Sequence, residues 1–291
     1  MRFFRLFIIG FTTMWLMGCS DDYGVEQTES ALVVEGWIEN GEPPVVLITT
    51  TLPITSEYQS IEDYQEFLVK WAKVTVSDGE NSVVLTGKFD KGYYPPYVYT
   101  TGYMIGQEGK TYHLTVEYDN YYATATTTIP KAPQIDSFKV ERVEGSDSLH
   151  YIKACFTDNP NEKNYYQFFV REGTQSRQFI GSYLGSIDDV VLDGPTEVPV
   201  YRGHQLIGDS YIPYFSDREL LTIKFAQVDE CSFHFWDDYL KDQNLSTNMF
   251  FSSPLGVRTN VQGGIGYWCG YGCSTYYFFQ QNLDDAEKNS L

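Results

Sequence analysis

Between Thr111 and Ile129 large and small residues alternate on both sides of Asp119-Asn120. If that pair forms a two-residue loop, Tyr118 faces Tyr121, Val116 faces Ala123, Leu114 faces Ala125 and Tyr112 faces Thr127. One face is then large-against-small and mostly apolar, while His113, Thr115 and Glu117 take the other. A random sequence would seldom pass this check, so an antiparallel hairpin is expected here. Pro130-Lys131-Ala132-Pro133 follows and stops the sheet, because proline cannot donate to a ladder.

The rest of the chain reads as further short strands. Ala31–Ile38 and Val45–Thr51 flank a turn at Asn40-Gly41-Glu42-Pro43-Pro44, and Val74 and Leu85 flank another at Asp78-Gly79-Glu80-Asn81. After the proline stop, strands are expected at Leu149–Thr157, Tyr165–Arg171, Gln178–Leu184 and Leu220–Val228, with closing strands around Gly263–Trp268 and Ser274–Phe279. Phe233, Trp236 and Leu240 recur at helical spacing, widened by Phe235 and Tyr239, and Asp229 can cap them, so one amphipathic helix is expected near 230–244. The expected fold is mainly β: an immunoglobulin-like sandwich over 31–130, then a second β-rich domain over 131–291. Ser56–Lys70 reads as a polar connection. Gly185–Phe215 reads as a long polar excursion, the place for function if the second domain binds anything.

The formal charge of −19 over 291 residues weighs against nucleic acid as a partner, since such a surface repels phosphate. Of five cysteines, Cys155, Cys231, Cys269 and Cys273 remain once Cys19 is assigned below. Cys269 and Cys273 could close a Gly-rich loop as a disulfide or supply half a zinc site. No second Cys/His pair at metal spacing accompanies them, so buried or paired cysteines are expected and neither a metal nor a cofactor is.

Residues 1–18 carry the marks of a secretory signal: Arg2 and Arg5, then an apolar run from Phe7 to Met17 too short for a membrane span of about 20 residues. Leu16-Met17-Gly18-Cys19 resembles the lipobox of bacterial lipoproteins, in which the cysteine thiol receives lipid. Acyl chains would hold the protein by about 0.8 kcal/mol per buried CH₂. Residues 19–30 would form an acidic tether, and Ser20-Asp21-Asp22 resembles the export signal of surface-exposed Bacteroidota-type lipoproteins.

Catalytic patterns are sparse. The four histidines are scattered, with no His-Glu-x-x-His and no Gly-x-Ser-x-Gly elbow. Gly208-Asp209-Ser210 lies mid-chain rather than on an early strand–helix turn. Asp188-Asp189 and Asp237-Asp238 are adjacent pairs, not carboxylates set across a cleft. One cluster reads as a binding surface: Tyr93, Tyr94, Tyr97, Tyr99 and Tyr103, interrupted by Pro95-Pro96. The prolines argue against a central strand there, and aromatic rings on a loop would stack on sugars or anchor a protein. The alternative is that the rings fold back onto the sandwich.

Taken together, several segments resemble a large family of Bacteroidota lipoproteins known as domain of unknown function 4249. They are Leu32-Val33-Val34-Glu35-Gly36, Gly109-Lys110-Thr111-Tyr112-x-Leu114, Ile135-Asp136-Ser137, Asp158-Asn159-Pro160, Lys163-Asn164-Tyr165-Tyr166, and Asn260–Gly266 with Gly270-Tyr271. The resemblance covers nearly all of the chain beyond residue 18. It implies a lipoprotein encoded beside a TonB-dependent outer-membrane receptor, and it brings no catalytic residue. Cys269 and Cys273 depart from that family's Gly-rich motif. The leading expectation is therefore a non-enzymatic, lipid-anchored outer-membrane protein, exposed at the cell surface and partnering such a receptor, with a glycan or small nutrient as its ligand. A surface glycan-binding module and a hydrolase with an unfamiliar site are the alternatives.

Overall fold

The computed structural model describes residues 30–51, 67–174, 177–192, 194–203, 212–216, 220–246 and 257–278. Its first half contains β1 (Leu32–Glu39), β2 (Val45–Thr50), β3 (Lys73–Ser77), β4 (Ser82–Val84), β5 (Thr86–Phe89), β6 (Tyr97–Thr100), β7 (Thr111–Tyr118) and β8 (Tyr121–Thr128). Its second half contains β9 (Ser137–Arg142), β10 (Leu149–Thr157), β11 (Tyr165–Glu172), β12 (Ile180–Asp188), β13 (Pro195–Val200), β14 (Phe215–Ser216), β15 (Leu221–Val228), the helix α1 (Glu230–Ser246) and β16 (Ile265–Phe278). The fold is mainly β, built of sandwich-like layers.

The β7–β8 hairpin has the register read from its sequence, Tyr118 opposite Tyr121 through Tyr112 opposite Thr127. Tyr112, Leu114, Val116, Ala123 and Ala125 are buried, while His113 and Glu117 are exposed. The hairpin belongs to a four-stranded sheet ordered β4-β3-β7-β8. A second small sheet is built around β10, with β9 on one side and β13 and β14 on the other.

One eight-stranded sheet, ordered β12-β11-β15-β16-β1-β2-β6-β5, backs both. Its seam is β16. Residues 265–271 pair in parallel with β1, and residues 272–278 pair antiparallel with β15. Strands alternate their side chains, so the even-numbered residues of β16 share one face. Trp268 enters the core formed with the β7–β8 sheet. Phe278, with Tyr276 against it, enters the core formed with the β10 sheet. The last described strand, expected in the second domain, thus completes the first sandwich. Two glycines permit this path. Gly266 has φ +111°, and a Cβ there would lie 1.9 Å from the Val34 carbonyl oxygen. A Cβ on Gly272 would lie 2.2 Å from the Pro130 carbonyl oxygen, because the linker that follows β8 lies against the sheet at that point.

The helix begins where its cap residue sits. The Ser232 backbone N–H donates to Asp229 Oδ1 at 2.8 Å, and the Thr127 hydroxyl donates to Asp229 Oδ2 at 2.8 Å, pinning the helix start to the end of β8. Phe233, Phe235, Trp236 and Leu240 are buried, as the stripe requires. No helix among the described residues is long and apolar enough to cross a membrane.

Two readings are corrected. The polar segment Gly185–Phe215 is not one open excursion: β12 runs on to Asp188, a 3-10 turn covers Asp189–Val191, and β13 pairs with β10 from Ile152–Val200 to Thr157–Pro195. Its strand character is hidden because Pro195 and Pro199 occupy an edge strand, where a missing N–H costs little. Residues 204–211 lie outside the described residues, with His204 and Gly208-Asp209-Ser210 among them. The second correction is the tyrosine segment, taken up below.

Candidate functional site: a cavity on the open face of the long sheet

The two small sheets cover one face of the eight-stranded sheet. The opposite face carries α1 over one part and a cavity of about 520 Å³ beside it. Alternation along β1 decides what lines it. Val34 and Ile38 point into the first core, so Glu35, Trp37 and Glu39 point the other way, into the cavity. The odd-numbered residues Tyr267, Tyr271 and Cys273 of β16 add to this wall, as do Arg171 from β11 and Lys224 from β15. Trp236 and Tyr239 enter from α1, and Gln178 and Phe179 from the segment before β12.

Two carboxylates are held in different ways. Glu39 and Lys224 form an ion pair in which the ammonium lies 2.6 Å from each carboxylate oxygen. Among the described residues no cation pairs with Glu35; its Oε1 accepts from the Tyr267 hydroxyl at 2.8 Å and from Gln178 Nε2 at 3.0 Å. Burial raises the Glu35 pKa above the ordinary glutamate value, with the two hydrogen bonds pulling it back. A raised carboxyl pKa means that the folded state binds its proton more tightly than the unfolded chain. The resulting stabilisation is full below about pH 4.5 and is lost as pH rises through the folded-state pKa. Glu35→Gln is therefore expected to match the unmodified protein in acid and to exceed it increasingly as pH rises toward neutral. Denaturant midpoints measured across that range check this, and a constant difference at every pH would refute it.

Phe179 receives two cations, the Lys224 ammonium at 4.0 Å and the Arg171 guanidinium carbon at 4.5 Å from the ring centroid. Arg171 Nε is buried and has no hydrogen-bond partner among the described residues. At the rim, Arg177 stands 3.5 Å from Asp90.

The five tyrosines expected to form one surface are divided by the structure. β6 begins immediately after Pro96, since a proline removes only its own N–H from a ladder, and β6 pairs with both β2 and β5. Tyr97 and Tyr99 point into the first sandwich, their rings 5.5 Å apart, and their hydroxyls donate to the Lys70 and Val69 carbonyls. Tyr94 and Tyr103 are exposed. Of the five, Tyr93 alone lines the cavity, packing on Trp37 with ring centroids 6.1 Å apart.

The Cys269–Cys273 disulfide, one of the possibilities read from the sequence, is not formed. Both residues lie on β16, so four residues of extended chain set their Cα atoms about 13 Å apart. A disulfide requires less than about 7 Å. Both thiols are free, as are those of Cys155 and Cys231. Burial pushes the Cys269 thiol up to about 12 and raises Cys273 well above its ordinary value, so both stay protonated at neutral pH and are poor nucleophiles. Among the described residues no group of His, Cys, Asp and Glu is placed to hold a metal ion. His113 is on an exposed strand face, His150 is buried in β10 and His234 is on α1. Cys19 lies outside the described residues, as does nearly all of the tether.

A family model described as "Domain of unknown function (DUF4249)" matches residues 21–276. The chain belongs to this family. The DUF4249 match spans the whole eight-stranded sheet save the end of β16, so it includes every cavity residue named above. No curated protein matches the chain. Sequence reasoning passed over Glu35, Trp37, Glu39, Arg171 and Lys224. Their signal was present: each is charged or bulky-aromatic at alternate positions of a strand whose other face is apolar.

Proposed function

We propose that this DUF4249 chain is a lipid-anchored outer-membrane lipoprotein, held through Cys19, that serves a TonB-dependent uptake system as a non-enzymatic binding partner. The reading of the leader, Leu16-Met17-Gly18-Cys19, supplies the anchor. The resemblance to Bacteroidota lipoproteins supplies the receptor as partner, and the acidic Ser20-Asp21-Asp22 supplies the outward orientation. The observation that carries a binding role is the cavity, in which two carboxylates are held by neighbouring side chains. Glu39 is neutralised by Lys224, Glu35 is held by Tyr267 and Gln178, and burial keeps the Cys273 thiol protonated. Aromatic walls with a few placed polar groups are what a small-molecule site needs.

The test begins with the anchor. Cys19→Ser is expected to abolish incorporation of labelled palmitate and to leave the protein unprocessed by the lipoprotein peptidase. Detergent-solubilised membranes carrying the unmodified protein are expected to yield a TonB-dependent receptor on affinity purification. Palmitate labelling that survives the substitution would sink the anchor, and purification without any such receptor would sink the partnership.

A further inference from the structure

We propose that the cavity is a binding site for a small organic anion, in which Arg171 receives a carboxylate and the aromatic walls pack against a ring-shaped body. The charges around it point to this polarity. The acidic lining is Glu35, Glu39 and Glu42; the basic lining is Lys88, Arg171, Arg177 and Lys224. The lining thus holds four cations and three anions in a chain whose formal charge is −19, and Asp90, outside the lining, pairs with Arg177 and Lys88. Within it, the Glu39–Lys224 pair cancels, Glu42 and Lys88 lie at the exposed rim, and Arg177 stands beside Asp90.

Arg171 is the remaining cation, and among the described residues no carboxylate forms an ion pair with it. Its side chain lines the cavity, and its guanidinium carbon lies over the Phe179 ring, 4.5 Å from the centroid. A guanidinium presents a planar fork that matches a carboxylate in a bidentate way, and stacking on an aromatic ring holds the fork's plane. Trp37, Tyr93, Trp236 and Tyr239 line the same space and give it aromatic walls for a ring to pack against. The cavity volume falls within the range of small-molecule sites.

Two sources share this chemistry, acidic saccharides and aromatic carboxylic acids. The inference does not depend on the anchor or on a receptor, because it is tested on the purified chain in detergent by calorimetry and by tryptophan fluorescence, which Trp37 and Trp236 report. The probes are digalacturonate, its uncharged methyl ester, and 4-hydroxybenzoate. At least one of the two anions is expected to bind, and whichever binds identifies the source. For a saccharide, the methyl ester is expected to bind at least tenfold more weakly; for an aromatic acid, the comparison is methyl 4-hydroxybenzoate. Arg171→Met is expected to weaken anion binding at least tenfold, and Arg171→Lys to restore it only in part, because the charge returns without the fork. Tyr103→Ala, on an exposed side chain away from the cavity, is expected to leave binding unchanged. The proposal is overturned if neither anion binds at millimolar concentration, if the uncharged ester binds as well as the acid, or if a folded Arg171→Met variant binds normally. The comparison of acid with ester needs no variant, so the test stands even if Arg171→Met does not fold.

Discussion

Lys224→Met is expected to destabilise the protein by about 3–5 kcal/mol, because it removes one partner of a buried ion pair and leaves the Glu39 carboxylate uncompensated. Burial decides the size of the effect. Exposed ion pairs contribute at most about 1 kcal/mol, but these side chains are only 8% and 11% exposed. The pair also joins distant parts of the chain, since Glu39 ends β1 and Lys224 lies in β15, with β16 between them. Replacing both members by apolar residues, Lys224→Met with Glu39→Leu, is expected to recover most of the loss, because no charge is then left buried. Urea unfolding of the two single variants and the double variant measures the coupling directly. A single-variant loss within about 0.5 kcal/mol would show that the pair behaves as a surface contact.

Trp268→Ala is the second large effect, expected at about 3–5 kcal/mol, the usual cost of emptying a buried large aromatic site. Trp268 is fully buried, and its indole N–H donates to the Tyr112 carbonyl at 3.1 Å. Its ring lies against Gly36, where a Cβ would come within 2.8 Å. Asn260 holds its backbone, accepting from the Trp268 N–H at 2.9 Å and donating to its carbonyl at 2.7 Å. The loss should appear in the first sandwich although the residue comes from the chain's last described strand. A separate fragment of residues 31–130 lacks this side chain and the strand that carries it, and is expected not to unfold cooperatively. A sharp two-state transition of that fragment would refute the dependence.

The β7–β8 hairpin was legible because every determinant is local: a two-residue loop and strict alternation settle register over eighteen residues of chain. The helix was legible for the same reason, its apolar stripe and Asp229 cap lying within one short segment. The role of β16 was not. Its pairing with β1 brings Tyr267 to Glu35 across 232 positions, and a parallel neighbour leaves no turn signature between the two strands. The site was hidden in the same way. Tyr93 through Tyr103 drew attention as a cluster in sequence, yet alternation sends Tyr97 and Tyr99 to the opposite face of the sheet from Tyr93. Glu35 and Glu39 flank Trp37 in a strand that otherwise looks like ordinary core. Arg171 follows Phe168-Phe169-Val170, and Lys224 is set between Ile223 and Phe225. A charge in the middle of an apolar strand is the pattern that would have led to the cavity.

The position of β16 also governs the order in which this molecule can become itself. During synthesis the amino end emerges first, yet its sheet waits for a strand whose Tyr267 lies 232 positions beyond Glu35. Until Ile265–Phe278 arrives, β1 has an unsatisfied edge and a hollow where Trp268 belongs. Such long-range closure slows folding and prolongs the time an open edge is available to other chains. A nascent chain stalled before residue 265 should therefore depend on holding chaperones far more than its finished form.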